Sequence, residues 1–91
     1  MKVVFKVRAL RDLDEIHAYI ARQDLAAARG VIGRIEAAAE RLSEFPMSGR
    51  TGTLRGTRQV VVTGLPYIII YRVRDEVDVI AIVHAARRRR S

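Results

Sequence analysis

The sequence predicts an α+β fold: an N-terminal strand, an antiparallel helical hairpin and then a three-stranded antiparallel meander, with the helices packed on one sheet face. Three observations carry this. Between Val60 and His84, three runs rich in Val, Ile and Tyr are separated by turn-sized gaps at Gly64-Leu65-Pro66 and Arg74-Asp75-Glu76. Between Ala9 and Leu42 the apolar residues recur three and four apart instead, which is the helical period. Only a few residues before Asp24 interrupt that pattern, and so short a connection folds two helices back on each other.

Taken in order, Lys2 to Val7 is a short strand with Val3, Phe5 and Val7 on one face, able to pair with an edge of the meander. Helix one follows from Ala9 to near Arg22 through Leu10, Leu13, Ile16 or His17, and Ile20, with Asp12, Asp14 and Glu15 in early turns where the dipole favours acids. Asp24 is placed to cap a longer helix running through Ala28, Val31, Ile32, Ile35, Ala38, Ala39 and Leu42. Within it Ala26, Gly30, Gly33 and Ala37 form a small-residue stripe, which is either a place of close approach or drift on a tolerant flank. Phe45-Pro46 ends the helix, because a residue before proline is pushed out of the helical region, and Met47 to Gly56 reads as a loop. The strands are then Val60 to Thr63, Tyr67 to Val73 and Val77 to His84. A two-residue turn at Asp75-Glu76 sets Tyr67 opposite His84, whereas a three-residue turn sets Arg72 opposite Asp78 and moves His84 opposite Pro66.

A chain of 91 residues holds one small domain, spanning residues 1–91, that buries only about 60–65% of its unfolded surface. With 49% hydrophobic residues, 5% aromatic and no Trp, its core is aliphatic. Without cysteine there is no disulfide framework and no Cys-containing zinc site, and no metal or cofactor is expected. No apolar run approaches the roughly 20 residues of a membrane span, and Lys6 and Arg8 interrupt the N-terminal apolar residues, so a cytoplasmic location is expected. The net charge of +7 is lopsided: residues 1 to 49 carry eight basic and seven acidic groups, residues 50 to 91 nine arginines against Asp75, Glu76 and Asp78. Such a field draws in polyanions or an acidic protein.

Chemistry concentrates at the C-terminal end. His84 closes the last strand beside Arg87 to Arg90, and with Arg58 and Arg87 it could supply the proton acceptor and phosphate grip of RNA cleavage. A lone histidine at a strand end is more often structural. His17, beside Asp14 and Glu15, reads as a surface or helix-contact residue. Alternation leaves both sheet faces apolar, with Ile68 and Ile70 on one side of the middle strand and Tyr67, Ile69 and Tyr71 on the other. Two helices cover one face only, so a partner is expected on the second.

The ordered set DLDEIHAYIA, AAARGVIGRIEAAAERLSEFPMSGR, GTRQVVV, PYIIIYRV and VDVIAIVHAARR resembles the ParE/RelE superfamily of type II toxins over nearly the whole chain, and looks closest to the ParE branch, the plasmid-stabilisation toxins. The resemblance implies the fold above, toxicity in the free state and an antitoxin of the ParD or RelB type that wraps the toxin with an extended and helical segment. It implies DNA gyrase as the target. On the residues themselves, target binding is expected at the basic end, at Arg58, Tyr67, His84, Arg87 and Arg88, and the antitoxin on the uncovered sheet face and the helix-two flank, at Gly30, Gly33, Ile68, Ile70 and Arg72. RelE-type ribosome-dependent mRNA endonucleases share the fold, and they tend to carry an arginine where Ile68 stands here. The ribosome and its mRNA are the alternative target.

Overall fold

The structure is a computed structural model and describes residues 1–89, the side chains of Arg88 and Arg89 excepted. The elements are β1 (Val3–Phe5), α1 (Val7–Ala21), α2 (Leu25–Glu40) continued by a 3-10 turn at Arg41–Ser43, β2 (Arg50–Thr51), β3 (Arg58–Val61), β4 (Tyr67–Val73), β5 (Val77–His84) and α3 (Ala85–Arg89). They form the predicted α+β arrangement on one mixed five-stranded sheet of order β1-β5-β4-β3-β2. β1 runs parallel to β5, and the other neighbours are antiparallel.

Strand β1 is shorter than the expected Lys2–Val7. Val3 to Phe5 pair with Val77 to Val79, then the Lys6 N–H donates to the Val79 carbonyl and Lys6 accepts from Leu10 to open the helix. Helix α1 therefore starts at Val7, and its inward stripe is Ala9, Leu13 and Ile16, leaving Leu10 exposed. An alanine is silent in an apolar count, so the sequence pattern fitted the neighbouring Leu10 equally well. The earlier start also moves Asp12 out of the first turn. Asp24 caps α2 as expected, its carboxylate accepting from the Ala27 N–H at 2.9 Å. The Met47–Gly56 stretch contains the two-residue strand β2, paired to Gln59 and Arg58.

Both registers weighed for the last hairpin occur at once. Val73 pairs with Val77 across the three-residue turn and Arg72 with Asp78, yet Tyr67 pairs with His84, because a bulge between Ile70 and Tyr71 shifts the ladder by one. The bulge places Ile80 and Ala81 on the same face.

The helices pack on one sheet face around Leu13, Ile35, Leu42, Ile69, Tyr71, Val77, Val79 and Ile82. The opposite face is not the bare apolar patch expected from alternation. Ile68 and Ile70 are 7% and 3% exposed and cluster with Ala81, with Ile80, Val83 and Ala85 packed against them. The cause is local: the bulge adds an apolar residue to this face, and Ala85, opening α3, folds onto it. No helix among the described residues is long and apolar enough to cross a membrane.

Candidate functional site

Tyr67 and His84 form one candidate site at the end of β4 and β5. They are direct cross-strand partners, and their rings meet edge to face with centroids 5.6 Å apart at 84°. The His84 Nδ1 accepts from the Ala86 N–H at 3.1 Å, so His84 acts as the cap of α3. In the neutral ring that bond leaves the proton on Nε2. The Ala85 N–H donates to the Pro66 carbonyl at 2.8 Å, tying the start of α3 to the hairpin turn. Arg87 is exposed on α3 beside this pair, while the Arg88 side chain lies outside the described residues.

Arg58 is elsewhere. It pairs with Tyr71, four residues from Tyr67 along β4, which is about 13 Å of strand. Its guanidinium donates to the Gly49 carbonyl at 2.8 Å and reaches the Met47 carbonyl at 3.5 Å, so it holds the loop after α2. The fully buried Tyr71 grips the same loop: its hydroxyl donates to the Pro46 carbonyl at 2.9 Å and accepts from the Gly49 N–H at 2.8 Å. No β-carbon fits at Gly49, where it would lie 2.8 Å from the Gln59 carbonyl oxygen. Arg58, His84 and Arg87 are thus not brought together, and a proton acceptor with two phosphate-holding cations is not assembled.

The residues expected to meet an antitoxin also divide. Gly30 and Gly33 are exposed on α2, with open space wherever a β-carbon would stand. Ile68 and Ile70 are covered, as described above. Arg72 is half-buried on the same face as Ile68 and Ile70, opposite Asp78, with its Nε 3.8 Å from the position of a β-carbon at Gly56. The sequence reading did not single out a groove of about 660 Å³ between the end of α2 and the β3 edge, lined by Ala37, Ala38, Leu42, Phe45, Val60 and Val61 among others, with Arg34 and Arg41 beside them. Its signal in the sequence is weak, because it is made where a helix and a strand meet that lie some 20 residues apart in the chain.

Residues 3–90 match the model of the ParE toxin of type II toxin–antitoxin system, parDE. The chain belongs to the ParE toxin family. Two relatives agree: a Sinorhizobium fredii protein named as a toxin candidate, Y4kP, is 44% identical over 84 residues, covering 92% of this chain and 88% of its own. Toxin RelE2 of Caulobacter vibrioides is 41% identical over 87 residues, covering 94% of this chain and 97% of its own. The fold is that of a chain from the solved chromosomal ParDE toxin–antitoxin system of P. aeruginosa, with a TM-score of 0.83 over 92% of this chain and 95% of that one at 22% identity. This ParE-family chain is thus a toxin of a type II toxin–antitoxin system, and the family implies an antitoxin partner.

Proposed function

We propose that this ParE-family toxin poisons DNA gyrase by binding, without catalysis of its own, and is neutralised by a ParD- or RelB-type antitoxin. The observation that carries the reading is the separation of Arg58 from His84. A ribonuclease of the kind considered needs base, phosphate-holding cation and acid around one scissile bond. Here Arg58 is committed to the Met47 and Gly49 carbonyls at one end of β4, and His84 caps α3 at the other. A second feature points the same way. The position where RelE-type relatives tend to carry arginine is Ile68, 7% exposed in an apolar cluster, where an unpaired guanidinium would be costly to bury.

The end formed by Tyr67, His84 and Arg87 suits binding. An aromatic pair rigid in its cross-strand register sits beside an exposed arginine, a combination of fixed apolar area and positive charge that favours a protein–DNA complex.

The name of RelE2 supports one alternative, a RelE-like ribosome-dependent mRNA endonuclease acting from the cytoplasm. The two readings separate on induction of the chain in bacteria while DNA synthesis, the damage response and translation are followed together. Gyrase poisoning predicts the damage response first, and the purified toxin should trap cleaved DNA in a gyrase reaction. Prompt arrest of translation with supercoiling intact would overturn it.

A further inference from the structure

We infer that the sheet face turned away from the helices carries a strip of cations that grips the phosphate backbone of DNA held by gyrase. The choice of DNA rests on the gyrase reading, to which the inference adds a direct contact between toxin and nucleic acid. The strip follows from register. Cross-strand partners share a face, and so do side chains two apart along a strand. Arg50 pairs with Gln59, Gln59 with Ile70, Arg72 with Asp78 and Asp78 with Val4, so all of these share the face of Ile68 and Ile70. Lys2 and Lys6 stand two residues either side of Val4, and the extended backbone of Lys6 keeps the alternation. Lys2, Lys6, Arg72 and Arg50 thus run across the sheet from β1 to β2, about 19 Å at about 4.8 Å per strand.

Their charge is available. Asp78 is the one carboxylate among the strand residues of this face, and it is recessed: its side chain is 15% exposed, against 53% for that of Lys6. Lys6 Nζ stands 3.9 Å from Asp78 Oδ1, which is buried and accepts no hydrogen bond. Arg72 lies across from Asp78 without meeting it, since its Nε sits beside Gly56, 3.8 Å from where a β-carbon would be. Neither Arg50 nor Arg72 has a side-chain hydrogen bond or ion pair among the described residues. A phosphate offers such a half-buried guanidinium the two acceptor oxygens that it lacks.

The rest of the face favours phosphate over a peptide. A protein interface is built around an apolar core. Here Ile68 and Ile70 are buried under Ala85, and among the strand residues of this face only Val61, at the β3 edge, is a large exposed apolar side chain. Phe5, Tyr67 and Tyr71 all belong to the helix-covered side, which leaves bases no aromatic platform on this one. Contact is therefore with the backbone and independent of sequence.

The test uses the full-length toxin and a short fluorescent DNA duplex, without gyrase or antitoxin, with anisotropy read across a salt series. Arg50→Gln combined with Arg72→Gln should flatten the slope of log K against log salt by about 1.8, at about 0.9 per phosphate contact, and weaken binding about tenfold or more at low salt. Arg11→Gln combined with Arg22→Gln removes the same charge from exposed positions on the α1 side of the sheet and should leave the slope unchanged. Arg50→Lys with Arg72→Lys keeps the charge and should keep the slope. A further measurement needs no variant: on the wild-type toxin, DNA should shield Arg50 and Arg72 from phenylglyoxal and leave Arg11 and Arg22 reactive. Absence of duplex binding, equal losses from the two glutamine pairs, or no shielding of Arg50 and Arg72 overturns the inference. Tighter binding of an RNA duplex of the same length overturns it too. Failure of the gyrase reading appears elsewhere, as arrest of translation with supercoiling intact; DNA binding that still maps to this face would then uphold the contact and remove only the enzyme.

Discussion

Asp12 on α1 accepts a hydrogen bond of 2.9 Å from the backbone N–H of Ile82 on β5. Strand β1 pairs only with Val77 to Val79, so the outer edge of β5 beyond that point has no strand neighbour, and a helix side chain supplies the acceptor instead. Arg8 one turn earlier steadies the carboxylate at 3.3 Å. Asp12→Ala leaves the Ile82 N–H without its partner under α1 and should cost about 1–3 kcal/mol. Asp12→Asn, which retains an acceptor, should recover part of that. Urea unfolding measures both, and an alanine variant as stable as the parent would show that water replaces the carboxylate at no cost.

Tyr71 and Gly49 form a coupled pair. Tyr71→Phe strips a buried acceptor from the Gly49 N–H and a donor from the Pro46 carbonyl, a loss of about 1–3 kcal/mol. Gly49→Ala should cost more, since its β-carbon meets both the Tyr71 hydroxyl and the Gln59 carbonyl oxygen. Combined, the two changes should destabilise by less than their sum, because the phenyl ring lacks the hydroxyl that the new methyl strikes. Strict additivity in thermal or urea unfolding would place the clash on the Gln59 carbonyl and on the Tyr71 ring carbon that phenylalanine keeps, both 2.8 Å from the new methyl.

Gly30 and Gly33 test a different point. Both lie inside α2 with nothing within 4 Å of a built β-carbon. Alanine at either should therefore stabilise the free toxin, by about 0.8–1 kcal/mol each from helix propensity. Should these variants also bind the antitoxin more weakly, the stripe is a contact where backbones approach closely. Unchanged binding with raised stability would mark the glycines as drift on an exposed flank.

Much of this fold was legible because period and turn chemistry are local. The three runs after Val60, the Asp24 cap and the helix stop at Phe45-Pro46 are all decided by neighbours in sequence. What stayed hidden depends on distance. The bulge at Ile70/Tyr71 reconciles two registers that strict alternation treats as exclusive, and nothing in VDVIAIVH marks Ile80 as the extra residue. Asp12 looked like a dipole-favoured acid and turned out to serve a strand 70 positions away. The cover over Ile68 and Ile70 comes in part from Ala85, a residue with no apolar signal of its own. Tyr67 opposite His84 follows from the sequence only with a two-residue turn; the turn has three residues, and the pairing is restored by the bulge, which no local signal marks. The inward role of Arg58 was not legible either, because a basic residue beside a strand gives no hint of which carbonyls it will reach.

His84 has two separable duties, and a pair of substitutions divides them. As the residue before α3 it accepts from the Ala86 N–H through Nδ1, and against Tyr67 it contributes an aromatic edge contact. His84→Ala removes both. His84→Asn keeps a side-chain acceptor suited to a helix cap while removing the imidazole and its proton chemistry. If the toxin acts by binding, α3 and Arg87 stay in place in the asparagine variant, and killing should stay within about tenfold of the parent, a change of about 1.4 kcal/mol in target binding. The alanine variant should lose more. If His84 instead transfers a proton, both variants forfeit the roughly 10²–10⁴-fold that a positioned acid or base contributes, and asparagine is no better than alanine. Survival after graded induction, read beside DNA cleavage by gyrase with the same purified variants, distinguishes the two outcomes without any assumption about the antitoxin.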